Sequence, residues 1–282
     1  MSRRTLLALC LAVATACVPA QGDALEEQIS EDPTMLAFVE AGELRIGLPA
    51  TPVGIGGDGM GEGLTAEVGR WVAEALGVQP RFLYTDTAAI LEGIEDQELD
   101  LGFPVMPMTE GAVRSRKRSF TAPYFVAHQR VLLAPGMSEI AEVDRACAFG
   151  DARTQIPVEA IAPGLTGVRS NDSSGCRRLL AEGIVQAIAA PDVLLFELEA
   201  ELQGSELLDA AYNTEGYGAI VQFGETRFAN FVDGVLSRAI DDGRWAEAYE
   251  DHIAPLTRLG ADPPDLTAEE AAALFPRGLK LD

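Results

Sequence analysis

Apolar positions along this chain alternate between two spacings, and the changes of spacing mark out its elements. Leu44–Leu48 predicts a short apolar strand. Leu64, Val68, Trp71, Val72 and Leu76 recur at helical spacing, and Gly77 supplies a stop. Arg81–Tyr84 reads as a second strand, Ile90, Leu91 and Ile94 line a short helix, and Leu99–Phe103 is a third strand. A βαβαβ order of this kind predicts a parallel sheet covered by helices. A second run follows. Arg130–Leu133 and Ala146–Phe149 are extended, Ser173 or Ser174 caps a helix through Leu180, Ile184–Ala189 is a strand, and Asp192–Leu202 is a helix. After a strand over Tyr217–Phe223, Phe228, Phe231, Val232, Val235, Leu236 and Ala239 form a helical stripe of the kind that packs a core. Ala261–Asp265 breaks the pattern, and Thr267 with Glu270 makes a capping box for a last helix through Leu274.

The two ends read differently from the middle. Gln21–Pro33 is polar and acidic and suits a tether. Ahead of it, Ser2-Arg3-Arg4 is followed by the apolar run Thr5–Ala16, too short for a membrane-spanning helix and patterned as a secretory leader over residues 1–16. Ala14-Thr15-Ala16-Cys17 resembles a bacterial lipobox with Cys17 as the lipidated residue. Plain cleavage at an A-x-A site or after Val18-Pro19-Ala20 is the other reading of the same stretch.

Length and charge narrow the picture. The chain has 282 residues, which suggests about two domains. Its 44 acidic and 21 basic side chains leave a net charge of -23, which argues against a nucleic-acid partner because phosphates would be repelled over most of the surface. Export makes Cys147 and Cys176 a lone pair in an oxidising compartment. A disulfide between them would contribute roughly 3.5 kcal/mol on the chain-entropy view; two buried free thiols are the alternative. No metal site is expected, since the only histidines, His128 and His252, lie far from either cysteine in sequence.

Few motifs carry chemistry. Gly54-Ile55-Gly56-Gly57-Asp58-Gly59 satisfies G-x-G-x-x-G, with Asp86 beyond the next strand. A dinucleotide site needs the helix to begin at the third glycine, whereas the helical pattern starts near Leu64. Asp58 and Glu62 would also repel a pyrophosphate. The stretch therefore reads as a glycine loop, and no cofactor is expected. Neither G-x-S-x-G nor H-E-x-x-H occurs. Arg114-Ser115-Arg116-Lys117-Arg118 is the one basic cluster; it reads either as a solvated loop or as an anion site, since arginine offers a bidentate fork to a carboxylate.

Several segments together resemble a known family. They are Gly42-Glu43-Leu44-Arg45-Ile46-Gly47, Leu99-Asp100-Leu101, Met106-Pro107-Met108-Thr109 and Phe120-Thr121-Ala122-Pro123-Tyr124-Phe125. Then come Gly216-Tyr217-Gly218-Ala219-Ile220, Phe231-Val232-Asp233-Gly234-Val235-Leu236 and Asp242-Gly243-Arg244-Trp245. In this order and spacing they resemble the extracellular solute-binding proteins of family 3, the amino-acid receptors of bacterial ABC importers. The resemblance spans about Leu36 to Leu256. It implies an α/β, two-lobed, periplasmic-binding-protein-like fold of type II. Two strands would cross between the lobes near Ala127–Val131 and Tyr217–Gln222, with hinge closure on a ligand that a docked permease reads. Lobe one would take residues 36–128 and lobe two 129–216. A crossing strand and return to lobe one would span 217–256, with a C-terminal extension over 257–282 and the tether over 17–35. A monomer is expected. Glutamate-binding members carry a cysteine pair where Cys147 and Cys176 stand, which supports the disulfide.

Residue by residue, the resemblance places Thr109 and Arg114 on the ligand's α-carboxylate, two extra residues standing between them. The family's aspartate for the α-amino group falls at Pro191, with Asp192 one residue later. Thr154 is a substitute donor in the turn Gly150-Asp151-Ala152-Arg153-Thr154. Thr87 stands where aromatic members stack a ring on the ligand, and Ile90 where glutamate binders often carry an arginine. The function implied is non-enzymatic: an exported protein, in the periplasm or on the outer face of the cell membrane, that captures an amino acid or similar small carboxylate for an ABC permease. Two other classes share the fold: a periplasmic dehydratase-like enzyme, which needs a general acid in the cleft, and a signalling module that has lost its metabolite.

Overall fold

The computed structural model describes residues 21–49, 62–149, 161–162, 164–170, 173–257 and 262–274. The leader over 1–16, Cys17, the loop Gly54–Gly59 and Thr154 lie outside the described residues.

The first elements correct the tether. Gln21–Glu31 is a helix, α1, and Pro33–Ala41 a second, α2. Leu25 is buried and Ile29, one turn on, packs against the same core, so the acidic residues between them form a solvated helix face. Asp32 starts α2 by accepting the amides of Thr34 and Met35, both at 3.0 Å, with Pro33 in the first turn where its missing N–H is harmless.

Strand and helix then alternate as expected: β1 (Glu43–Pro49), α3 (Leu64–Leu76), β2 (Gln79–Thr85), α4 (Thr87–Glu95), β3 (Leu101–Gly102) and the single turn α5 (Glu110–Val113). The apolar stripe of α3 is buried, and Gly77 ends the helix at φ +71, which a glycine adopts without steric cost. Next comes the 16-residue strand β4 (Arg118–Leu133), far longer than the Arg130–Leu133 stretch expected. It is followed by β5 (Arg145–Phe149), β6 (Thr166–Ser170), α6 (Ser173–Ala181), β7 (Ala187–Pro191), α7 (Asp192–Glu201) and β8 (Glu206–Leu207). The last described elements are β9 (Asn213–Gln222), α8 (Thr226–Asp241), α9 (Arg244–His252) and α10 (Ala268–Leu274). The capping box forms: Glu270 Oε2 accepts the Thr267 amide at 2.8 Å while Thr267 Oγ1 accepts the Glu270 amide at 3.2 Å.

One sheet runs through both lobes in the order β2-β1-β3-β9-β4-β7-β5-β6, with β8 also on β4. The β1 pairs with β2 and β3 are parallel, as are those of β5 with β6 and β7. The strands that join the lobes are antiparallel. Residues 118–129 of β4 pair with β9, and at Gln129 the same strand passes to β7, which it pairs through Leu133. The exchange is flanked by the pairs Val126–Gly216, Ala127–Glu215, His128–Thr214 and Gln129–Asn213. β4 thus changes partner at Gln129, with Asn213–Gly216 of β9 opposite the exchange. Tyr217, Ala219 and Val221 are already core residues of lobe one, which is why their apolar run reads as a strand.

Each face of each half carries its own core. In lobe one, Phe125, Phe228, Phe231 and Trp245 pack on the α3–α8–α9 face, and Ile90, Ile94, Met108, Phe120 and Ile220 on the α4 face. Lobe two has Val131, Leu133 and Ala189 on one face, and Leu132, Ile188 and Leu195 on the other with Cys147 and Cys176. Those cysteines are joined, with Cα atoms 5.5 Å apart.

The register of β4 against β9 shifts on either side of Pro123, which has no amide to offer a ladder. Side chains take over the missing bonds. Thr121 Oγ1 accepts the Ala219 amide at 3.0 Å, Asp233 Oδ1 of α8 accepts the Ala122 amide at 2.6 Å, and Trp245 Nε1 of α9 donates to the Tyr124 carbonyl at 2.9 Å.

Candidate functional site at the strand exchange

Polar side chains gather where β4 leaves β9 for β7. Glu215 is 1% exposed. Its carboxylate accepts from Gln129 Nε2 at 2.7 Å, from the Tyr217 hydroxyl at 2.8 Å and from Asn213 Nδ2 at 3.5 Å. The Tyr212 hydroxyl donates to Gln129 Oε1 at 2.9 Å, so the network runs from the edge of the lobe-two core to the core of lobe one. Burial pushes the Glu215 carboxyl from 4.5 up to about 7; the three hydrogen bonds oppose this, and the negative charge of Asp192 adds to it. Burial also raises the Tyr217 and Tyr212 phenols, so both remain protonated donors.

Asp192 stands beside this network as the first residue of α7, fully buried. Its Oδ1 accepts the Val193 amide at 2.9 Å. Its Oδ2 lies 3.5 Å from His128 Nδ1 and 3.7 Å from Arg130 Nε, and none of these three buried atoms has a hydrogen-bond partner among the described residues. The Arg130 guanidinium also donates to the Asp209 carbonyl at 2.9 Å. The His128 ring is 39% exposed, so the cluster reaches solvent on that side.

Thr109 and Arg114 approach from lobe one. Thr109 caps α5, its Oγ1 accepting the Ala112 amide at 3.1 Å, and Arg114 closes the same turn. The guanidinium of Arg114 is exposed and pairs with Glu110 Oε1 at 2.5 Å. Met108, the residue before Thr109, donates its amide to the Gly216 carbonyl at 2.8 Å. Gly216 is two residues along β9 from Thr214, the partner of His128. The Thr109 turn therefore meets β9, and Asp192 meets β4, at the two strands of the exchange.

Two more residues of the basic cluster, Arg118 and Lys117, both pair with Glu95 of α4. Ile90 is fully buried under Gly47 and Gly102, so the side chain there is core. Thr87 Oγ1 accepts the Val105 amide at 3.2 Å, and Asp86 caps α4 through the Ala89 amide. A cavity of ≈ 380 Å³ opens at the far end of the lobe-one strands beside Thr34, Arg45 and Gln222. Asp100 neutralises Arg45 there through bonds of 3.0 and 2.6 Å. Sequence reasoning missed the Gln129–Glu215 network and the His128–Arg130 pair. Their signal was there: three consecutive polar residues, His128-Gln129-Arg130, inside an apolar strand pattern.

Two α/β lobes on one sheet, joined by two strands with a buried polar joint, define a two-lobed ligand-binding fold. Residues 44–255 match the bacterial extracellular solute-binding proteins, family 3, and the chain belongs to that family. Among curated proteins none matches it in sequence. Solved structures share the fold at low identity. The solute receptor for L-cysteine of Neisseria gonorrhoeae is 21% identical with a TM-score of 0.64, over 79% of this chain and 94% of that one. An ancestral amino-acid-binding protein, described as a precursor of cyclohexadienyl dehydratase, is 16% identical with a TM-score of 0.65, over 78% and 99%. The GluR0 ligand-binding core in complex with L-glutamate is 17% identical with a TM-score of 0.60, over 75% and 97%.

Proposed function

We propose that this chain is the exported receptor of an ABC importer and captures an amino acid or similar small carboxylate between its lobes. The observation that supports this most is the tie between the Thr109–Arg114 turn and the crossing strand through Met108 and Gly216. On this reading the tie holds a carboxylate anchor beside the strand exchange. The Arg114–Glu110 pair is exposed, and such pairs contribute only about 0–1 kcal/mol, so a ligand carboxylate displaces Glu110 at small cost and gains a bidentate contact. On the same reading Asp192 Oδ2 supplies an acceptor for a ligand ammonium, and Thr154, outside the described residues, is the candidate hydroxyl donor. The leader over 1–16 exports the chain, Cys17 anchors it to the membrane, and a permease reads the closed lobes.

Thermal unfolding against the common amino acids and a set of small carboxylates tests this reading. A ligand at 100 times its Kd adds about 2.7 kcal/mol and raises Tm visibly. One compound is expected to do so, and Arg114→Ala to remove the shift; silence from every compound overturns the reading. A dehydratase-like enzyme is the second reading, supported by the ancestral relative's description and by a buried carboxyl that titrates near neutrality. Turnover of a cyclohexadienyl carboxylate would establish it.

A further inference from the structure

The family match ends at residue 255, yet the chain beyond it is built into the site. Leu266, Ala268 and Ala271 join the buried cluster of Ile90, Met108, Phe120 and Ile220. Helix α10 packs against both α5 and β9. Ala271 is fully buried, and its Cβ stands 2.7 Å from where a Cβ on Gly216 would be. Only a residue with no side chain lets the helix come this close to the crossing strand. The Met108 thioether lies over the same strand, its Cε 2.9 Å from the Cβ position of Gly218. α5 itself is four residues long and buries none of them, and one isolated turn does not hold its own shape in water.

We propose that α10 is a strap that clamps Met108 onto Gly216, so that the Thr109–Arg114 turn is positioned by the second crossing strand and moves with the hinge. Ala271 and Gly216 are its positioning residues. The consequence for ligand affinity rests on the receptor reading above; the mechanical coupling does not.

Amide hydrogen exchange on the full chain tests it without any ligand. Ala271→Arg cannot fit against Gly216 and is expected to free α10. Peptides covering residues 105–116 and 214–219 should then exchange at least tenfold faster, while β5 and α6 in lobe two keep native rates. Ala273→Arg, on the exposed side of the helix, adds the same charge and should change neither. Freed α10 with residues 105–116 as protected as in the native chain overturns the proposal, and so does an α10 that stays protected in Ala271→Arg. Should Ala271→Arg fail to fold, Gly216→Ala pushes the helix away from the strand side and is judged by the same two outcomes. Loss of carboxylate binding in Ala271→Arg without faster exchange in residues 105–116 would also count against a positioning role.

Discussion

Replacing Glu215 by glutamine should change how stability depends on pH, and the sign follows from where the carboxyl sits. In the unfolded chain it titrates near its ordinary 4.5, whereas in the folded protein burial holds it at about 7. Between those values the native state keeps a proton that the unfolded chain has released, so native stability falls as pH rises from 4.5 through 7. At about 1.4 kcal/mol for each tenfold change in proton affinity, the interval corresponds to about 3 kcal/mol. Glutamine keeps the shape, an acceptor for Gln129 and a partner for Tyr217, and carries no charge. Glu215→Gln should therefore lie within about 1 kcal/mol of the native protein at pH 5 and exceed it by up to about 3 kcal/mol at pH 8. For a chain of this length that is several degrees in Tm. Asp233, raised from 3.8 to about 6 chiefly by burial, adds a slope of the same sign to both proteins and cancels in the comparison. Urea unfolding at pH 5, 6, 7 and 8 gives the two profiles. Parallel profiles, or an equal loss of stability at every pH, would refute the argument and mean that Glu215 is charged throughout.

Other expectations need shorter statements. Thr121→Val leaves the buried Ala219 amide without its acceptor and should cost about 1–3 kcal/mol in urea unfolding, with Thr121→Ser close to native. Reducing the disulfide, or changing Cys147 and Cys176 together to serine, releases a loop with a sequence separation of 29. That change should cost roughly 3.5 kcal/mol, read as a fall in Tm under reductant. Asp100→Ala strips the Arg45 amide, 2.8 Å away, and the Arg45 guanidinium of their acceptor. A loss of about 1–3 kcal/mol is expected, and an unchanged unfolding midpoint would count against it.

Much of the fold was legible because the hydrophobic periods of α3, α4, α8 and the lobe-one strands are set by burial on one face, which a sequence displays directly. What stayed hidden depends on partners distant in the chain. Residues 21–31 read as a tether because their composition is acidic, and only the α8 surface that receives Leu25 and Ile29 makes them a helix. β6, with no buried residue, shows no apolar pattern at all; its place comes from pairing with β5. The length of β4 was missed because His128-Gln129-Arg130 looks like an interruption, whereas the strand needs polar side chains where it changes partners.

The segments that made the family recognisable explain why the ligand did not become legible with it. Thr121, Ala122 and Tyr124 from one segment, Ala219 from another, Asp233 from a third and Trp245 from the last meet at the bulge around Pro123. These bonds replace a ladder that proline breaks, so the side chains of Thr121, Asp233 and Trp245 are required whatever the protein binds. The ligand-facing candidates carry no such constraint. Thr109 satisfies a helix cap and Arg114 an exposed ion pair, each complete without a metabolite, while Asp192 is held in place by the Val193 amide and the neighbouring His128 and Arg130. A receptor of this build can keep its sheet and its hinge while its ligand changes. Binding measurements, which act on exposed groups such as Arg114, therefore carry the information about ligand identity, and stability measurements at the bulge and the joint carry the information about the fold.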